Sequence, residues 1–255
     1  MKINFNTYNP YSSMNFGSCS REYRNNGNPV YTSTYFFRDD IEWYDLVKFV
    51  ENNFKNKDKV NVYSLACSDG SEPYTFAMTV LDNIPQKEQP KYLPVYASDI
   101  DEEVIKAAQS GKINIDDLDL DTLWNYTERK FFDYNGEGIK IPNDQMQPER
   151  IKSYTPKPEL AQSVKFERAD ILEKINSIKD DGNTVVLCRN VFPYLTRGYA
   201  KEVAKAAGNR LKKGSLFVIG EFDRTTEIES ELRRAGFEKK LPYVFRKKVD
   251  NKYSI

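Results

Sequence analysis

The sequence predicts an α/β fold built on a mostly parallel, doubly wound sheet. Three observations carry that prediction. Short runs rich in β-branched and aliphatic residues (60–65, 93–98, 164–169, 183–188 and 216–220) alternate with segments of helical period, the rhythm of βαβ units. The run Thr184-Val185-Val186-Leu187-Cys188 is apolar almost throughout, as a strand buried on both faces requires. Four of the runs end on small or polar residues: Ala66 to Gly70, Asp99-Ile100, Asp170-Ile171 and Arg189-Asn190. The carboxyl ends of parallel strands are where open α/β sheets bind ligands.

Length and composition narrow the reading. A chain of 255 residues is long enough for one large α/β domain carrying an arm and an insertion. The 38 basic side chains balance the 38 acidic ones, so no global charge draws nucleic acid or an anionic membrane. No apolar run reaches transmembrane length and no apolar leader opens the chain, so a cytoplasmic protein without membrane insertion is expected. Cys19, Cys67 and Cys188 are too scattered for a disulfide framework or a CxxC metal site. Histidine is absent, which removes Ser-His-Asp and Cys-His catalysis in their common forms and most zinc sites. An enzyme with this composition relies on a carboxylate, lysine, tyrosine or cysteine, or needs little acid–base help. Transfer from an activated donor to an already ionised acceptor fits that restriction.

Each element follows from its pattern. Residues 1–30 are rich in Asn, Ser, Tyr and Gly without a sustained period and read as an irregular arm, with the main domain over 31–255. A helix over 41–53 presents Ile41, Trp43, Tyr44, Leu46, Val47, Phe49 and Val50 as a broad apolar face, with Asp39 or Asp40 as its cap. The first strand, 60–65, runs into a turn of small residues, and Glu72 and Pro73 open the next helix, to about Asn83. After a polar connection the second strand ends at Asp99, and Asp101 is the N-cap of a helix over 102–109. Residues 112–130 hold a weaker helical pattern around Leu118, Leu120, Leu123 and Trp124. Residues 131–160 break the rhythm as an insertion or lid: an aromatic segment with a turn, then a loop-like stretch from Pro142 to Pro158. The third strand ends at Asp170. The fourth leads into Arg189-Asn190, and Thr196 caps a helix to about Leu211. A fifth strand, a helix over 227–235 and an antiparallel pair (237–240 with 243–247) close the chain.

The turn after the first strand lacks G-x-G-x-x-G and the Walker lysine, which removes the usual support for dinucleotide and NTP binding. An acid at the end of the second strand is placed to accept bonds from ribose hydroxyls, and Asp99 is the candidate. The four strand ends together have the layout of a class I, Rossmann-like, S-adenosylmethionine-dependent methyltransferase. The strings TYFFRD, ACSDGSEPYT, ASDID, YTPKPELAQSVKFERADI, CRNVFPYL and LKKGSLFVIG, in this order, are more specific. With them the sequence resembles the CheR family, which methylates glutamate carboxylates of chemotaxis receptors.

The resemblance implies roles residue by residue. Ala66, Cys67, Ser68 and Gly70 would pack against the methionine part of S-adenosylmethionine, and Glu72 would lie near its α-ammonium. Asp99 would bind the ribose and Ile100 the adenine face, with Asp170 and Ile171 flanking the base. Arg189 and Asn190 would hold the methionine end, and Thr34 and Arg38 would reach the cofactor from the N-terminal side. Tyr194 would stand beside the transferring methyl. Arg38 and Tyr194 are therefore the catalytic candidates: Arg38 orients the acceptor carboxylate with its planar fork, and Tyr194 positions rather than acts as a base. The alternatives are a surface arginine against Asp39 and Asp40, and a core aromatic. Cys67 and Cys188 read as small packing residues. The implied products are a methyl ester and S-adenosylhomocysteine. The implied acceptor is a protein with an exposed glutamate, such as a chemoreceptor, or a small acid.

Departures from the family pattern limit what carries over. Asp69 and Ser71 alter the first turn, Asp170 stands where Asn is usual, Pro193 precedes Tyr194, and Glu221-Phe222-Asp223 replaces a histidine-containing motif. The family places a helical domain before the TYFFRD-like segment, where this sequence has about thirty residues without a period. Cofactor binding follows from the resemblance; the receptor substrate does not. A non-catalytic module binding the cofactor or its demethylated product, and a small-molecule methyltransferase using 131–160 as a lid, stay open beside the leading reading.

Overall fold

The computed structural model describes residues 22–25, 28–31, 34–116, 129–140 and 149–250. Strands β1 (Glu22–Asn25) and β2 (Asn28–Tyr31) pair as an antiparallel hairpin within the segment expected to be irregular. Residues 1–21 and the expected helical positions Leu118 to Trp124 lie outside the described residues.

Helix α1 (Trp43–Asn53) precedes β3 (Asn61–Leu65), α2 (Ser71–Asn83), β4 (Val95–Asp99) and α3 (Glu102–Gln109). Three strands then depart from the α/β rhythm: β5 (Ile113–Asp116), β6 (Phe132–Lys140) and β7 (Glu149–Pro156). The rhythm resumes with α4 (Pro158–Gln162), β8 (Val164–Arg168), α5 (Ile171–Ser177), β9 (Thr184–Leu187) and α6 (Arg197–Arg210). Last come β10 (Leu216–Val218), α7 (Ile228–Arg234), β11 (Phe237–Leu241) and β12 (Val244–Lys247).

The main sheet has seven strands in the order β11-β12-β10-β9-β3-β4-β8. The pairings β10·β9, β9·β3, β3·β4 and β4·β8 are parallel. Strand β12 inserts antiparallel between β10 and β11, so the C-terminal pair adds one reversed strand to an otherwise parallel sheet. Both faces are covered. Against one pack Leu46, Val47 and Val50 of α1 with Phe76 and Met78 of α2; against the other pack Ile175, Val203, Ala204, Ala207 and Leu232. Successive residues Val185 and Val186 enter opposite cores, the alternation a strand imposes. Phe217 is fully buried, and truncating such a side chain to alanine costs about 3–5 kcal/mol.

Strand order reverses at β3, whose neighbours β4 and β9 lie on opposite sides of it. That is the switch point at which doubly wound sheets open a crevice.

Five further elements differ from the sequence expectation. Helix α1 begins at Trp43, not 41, and its N-cap Glu42 makes no side-chain cap bond. Asp40 is drawn away to other partners described below, so neither Asp39 nor Asp40 serves as that cap. Residues 113–116 form a strand rather than a helix, consistent with the two-residue alternation of Ile113 and Ile115. Residues 149–156, expected to be loop-like, pair with both β5 and β6 in an antiparallel three-stranded sheet. Helices α4 and α5 are short, and a segment of five or seven residues gives helical period little room to show.

Candidate active site at the strand tips

The turn after β3 is built by backbone conformations that few residues tolerate. Ala66 and Ser68 have φ of 55° and 50°, and Gly70 has φ of 94°. Small side chains at these positions lower the strain of the left-handed region. The turn is pinned by Cys67 N–H on the Ser98 carbonyl (3.0 Å) and Gly70 N–H on the Cys67 carbonyl (3.1 Å). A Cβ at Gly70 would stand 2.8 Å from Phe166 Cζ, so glycine is also required for close approach. Asp69 and Ser71, two of the departures, bond each other: Asp69 Oδ1 accepts from Ser71 N (2.9 Å) and Ser71 Oγ (2.7 Å). An aspartate turn thus leads directly into α2.

Asp99 ends β4 beside this turn. Its Oδ2 accepts from Ser68 N (2.9 Å) and its Oδ1 from Asp101 N (3.0 Å). Burial pushes the Asp99 carboxyl above its usual range, against those two bonds. Each oxygen keeps a further lone pair for an incoming donor. Asp101 caps α3 instead, accepting from Glu103 N (2.7 Å) and Val104 N (3.2 Å). Next to Asp99, Ile100 is 63% exposed, an apolar side chain left at a strand tip. The Ser68 hydroxyl is buried without a partner. An orphaned hydroxyl, a desolvated carboxylate and an open apolar side chain fit a nucleoside, with its sugar hydroxyls and flat base.

At the end of β8, Asp170 is already engaged. It caps α5 through Leu172 N (2.8 Å) and Glu173 N (3.3 Å), and accepts from the Tyr199 hydroxyl. Burial and that aspartate raise the Tyr199 phenol. Ile171 opens α5 and is buried in the core.

Across β3, Arg189 follows β9. Its side chain is 1% exposed and pairs with Glu72 Oε2 (3.2 Å) and with Asp40 Oδ1. The Trp43 ring lies against the guanidinium, 4.6 Å from its centroid. Glu72 also accepts from Ser64 Oγ (2.8 Å), and burial raises its carboxyl despite Arg189. Two acids share one arginine here, a local excess of negative charge. Arg189 Nε is buried without a partner.

Asn190 has φ of 56° and spends its amide on the protein: Nδ2 donates to Asp40 Oδ2 (3.0 Å) and Oδ1 accepts from Phe222 N (3.1 Å). Asp40 Oδ2 further accepts from Glu221 N (3.0 Å). A Cβ at Gly220 would fall 2.1 Å from Asn190 Oδ1, which is why the loops can interlock there. Asp223, fully buried, accepts from Asn190 N (2.7 Å), Gly220 N (2.7 Å) and Phe192 N (3.0 Å).

Arg38 sits between two rings, its Cζ 5.4 Å from the Tyr35 centroid and 5.0 Å from that of Phe222. Its carbonyl accepts from Trp43 Nε1 (3.1 Å). Thr34 is half-buried on the same segment. Tyr194 closes the short turn Phe192–Tyr194 and is 49% exposed, so it is no core aromatic; Pro193 fits at the start of that turn. Cys67 and Cys188 are buried with thiols well above their usual range, which suits packing rather than nucleophilic attack.

The structure therefore brings Ala66, Cys67, Ser68, Gly70, Asp99 and Ile100 to one side of β3, and Arg38, Glu72, Arg189 and Asn190 to the other. Asp170 and Ile171 lie at the β8 end, committed to capping and core. Sequence reasoning missed Asp40, Phe222 and Asp223 as parts of the second cluster. Asp223 carried a usable signal, an acid just past the fifth strand; Asp40 looked like a helix cap. Among the described residues, no group of His, Cys, Asp and Glu could hold a metal ion, and no helix is long and apolar enough to cross a membrane.

The family model for the CheR methyltransferase, SAM binding domain, matches residues 32–240. Chemotaxis protein methyltransferase 2 of Vibrio cholerae is 24% identical over 213 residues, 82% of this chain and 68% of its own. The chemotaxis protein methyltransferase of Salmonella typhimurium is 28% identical over 203 residues, 80% of this chain and 64% of its own. The chain thus spans about two thirds of the length of the curated relatives it matches. Among solved structures, precorrin-6y C5,15-methyltransferase from Geobacter metallireducens aligns with 80% of this chain and 77% of its own, at 11% identity and a TM-score of 0.40.

Proposed function

Because the chain belongs to the CheR methyltransferase family, through its S-adenosylmethionine-binding domain, we propose that it transfers a methyl group to a carboxylate oxygen. The proposed acceptor is a glutamate side chain of a partner protein, such as a chemoreceptor, or a small acid, in the cytoplasm. The observation that carries this reading is the pair of acidic tips flanking β3. Asp99 is a desolvated carboxylate with lone pairs to offer, beside a buried orphan hydroxyl. Glu72 and Asp40 outnumber Arg189 on the other side.

In this reading Asp99 accepts from the ribose hydroxyls, Ile100 covers one face of the adenine, and the turn 66–70 lies along the methionine chain. The excess negative charge around Arg189 favours a cationic ligand. When bound, S-adenosylmethionine supplies a sulfonium methyl open to in-line attack by a carboxylate oxygen. A glutamate is ionised at neutral pH, so no residue of this chain needs to remove a proton. The protein's task is alignment, which can lower a barrier by up to ~7–11 kcal/mol. Arg38 lies between the Tyr35 and Phe222 rings, and its planar fork is suited to orienting the acceptor carboxylate. Tyr194, half exposed after the fourth parallel strand, positions that acceptor.

The test is methyl transfer from labelled S-adenosylmethionine to glutamate-bearing chemoreceptor fragments and to small carboxylic acids. Base-labile label on a carboxylate is expected. Retained cofactor affinity with no label on any acceptor would overturn the enzymatic reading in favour of a cofactor-binding module.

A further inference from the structure

Asp223 has no role in the cofactor or acceptor contacts set out above, yet its carboxylate joins two loops at the strand tips. Oδ2 accepts from Asn190 N and Gly220 N, both at 2.7 Å, and Oδ1 from Phe192 N at 3.0 Å. Two of these amides lie in the loop that runs from Arg189 to Tyr194. Asn190 there has φ of 56°, a conformation that a side-chain-bearing residue keeps when its surroundings impose it. The imposing contacts are the bond to Asp223 and the Asn190 amide bonds to Asp40 and Phe222 N.

We infer that Asp223 is a positioning residue: its ionised carboxylate holds the loop 190–194 in the form that binds S-adenosylmethionine. The inference rests on the methyltransferase reading. Its support is both geometric and energetic. Arg189 and the Cys188 thiol, from the end of β9, face the carboxylate, and Glu221 and Arg224 flank it on its own turn. Burial outweighs Arg189 and the three N–H bonds and pushes the Asp223 carboxyl up to about 6. The folded value lies above the unfolded one, so this group makes the fold relatively more stable as pH falls through that range. The fold alone would thus be better served by the neutral form. Protonation, however, places an O–H where only acceptors match the three backbone donors, and the loop loses a tether. Stability and loop order then move in opposite directions with pH, whereas a purely structural carboxylate would move them together.

The experiment follows the full chain and Asp223→Asn from pH 5 to 8 by calorimetric titration with S-adenosylhomocysteine, amide hydrogen exchange and thermal unfolding. For the native chain, affinity should fall about tenfold between pH 7 and pH 5, as the ionised fraction of Asp223 does. Protection of the Asn190 and Phe192 amides should fall with it, and Asp223 should not lower the melting temperature over that interval. Asp223→Asn should bind at least about tenfold more weakly at pH 7.5, because its amide opposes at least one backbone N–H. It should also lack the native inflection near pH 6. Asp99, also raised by burial, keeps its own pH dependence in that variant and is separated by it. Native affinity in Asp223→Asn, or native amide protection unchanged through pH 6, would overturn the inference. Should the variant fail to fold, the native pH series decides alone. Absence of native binding at every pH would overturn the methyltransferase reading as well, a result distinct from either of these.

Discussion

Asp99 and Arg189 stand at strand tips on either side of β3, and they are built in opposite ways. The Asp99 tip is local. Its carboxylate is fixed by Ser68 N from the adjoining turn and by Asp101 N two residues on. The Arg189 tip is assembled, with Asn190 beside it, from three distant stretches: Asp40, Glu72 and the turn at Glu221 to Asp223. The first tip is held by turn chemistry and keeps acceptor capacity open. The second is held by one buried cation shared between two acids, and most of its polar atoms are already used. The local tip is suited to gripping a ligand, and the long-range tip to fixing where the loops stand.

That contrast breaks most readily at Arg189. Arg189→Met would leave Glu72 and Asp40 buried without their cation, at a cost of about 3–5 kcal/mol in urea unfolding. A cost below about 1 kcal/mol, within the range of an exposed ion pair, would show the cluster to be solvated and the contrast false. On the local side, Gly70→Ala places a Cβ 2.8 Å from Phe166 at φ of 94°, and a loss of about 1–3 kcal/mol is expected. The same unfolding series reads it; an unchanged midpoint would mean that the turn has another conformation. The smallest effect belongs to Asp101→Ala, which removes the α3 cap for about 1 kcal/mol and should leave cofactor affinity within about threefold of native. A large affinity loss there would move the ribose role from Asp99 to Asp101.

The same contrast explains what the sequence made legible. Strand β9, the turn after β3, the cap Asp101 and the cap Thr196 follow from residues within a few positions of one another, and each was readable. The Arg189 cluster depends on side chains up to 150 positions apart, and spacing carries no trace of such a pairing. For that reason Asp40 looked like a helix cap, and nothing in the spacing showed that the Asn190 amide bonds Asp40 and Phe222 N. The three-stranded sheet was misread for a related reason. Its strand β7 reads Glu149–Pro156, polar and proline-ended, and becomes a strand only through pairing with β5 and β6.

The central claim is that a nucleoside lies across the strand tips with Asp99 accepting its ribose hydroxyls. Calorimetric titration of the native chain and Asp99→Ala with S-adenosylmethionine tests it most directly. The expected result is micromolar-range or tighter binding by the native chain, weakened by ~1–3 kcal/mol in the variant, about five- to 150-fold, while the fold persists. Equal affinities for the two chains would contradict it.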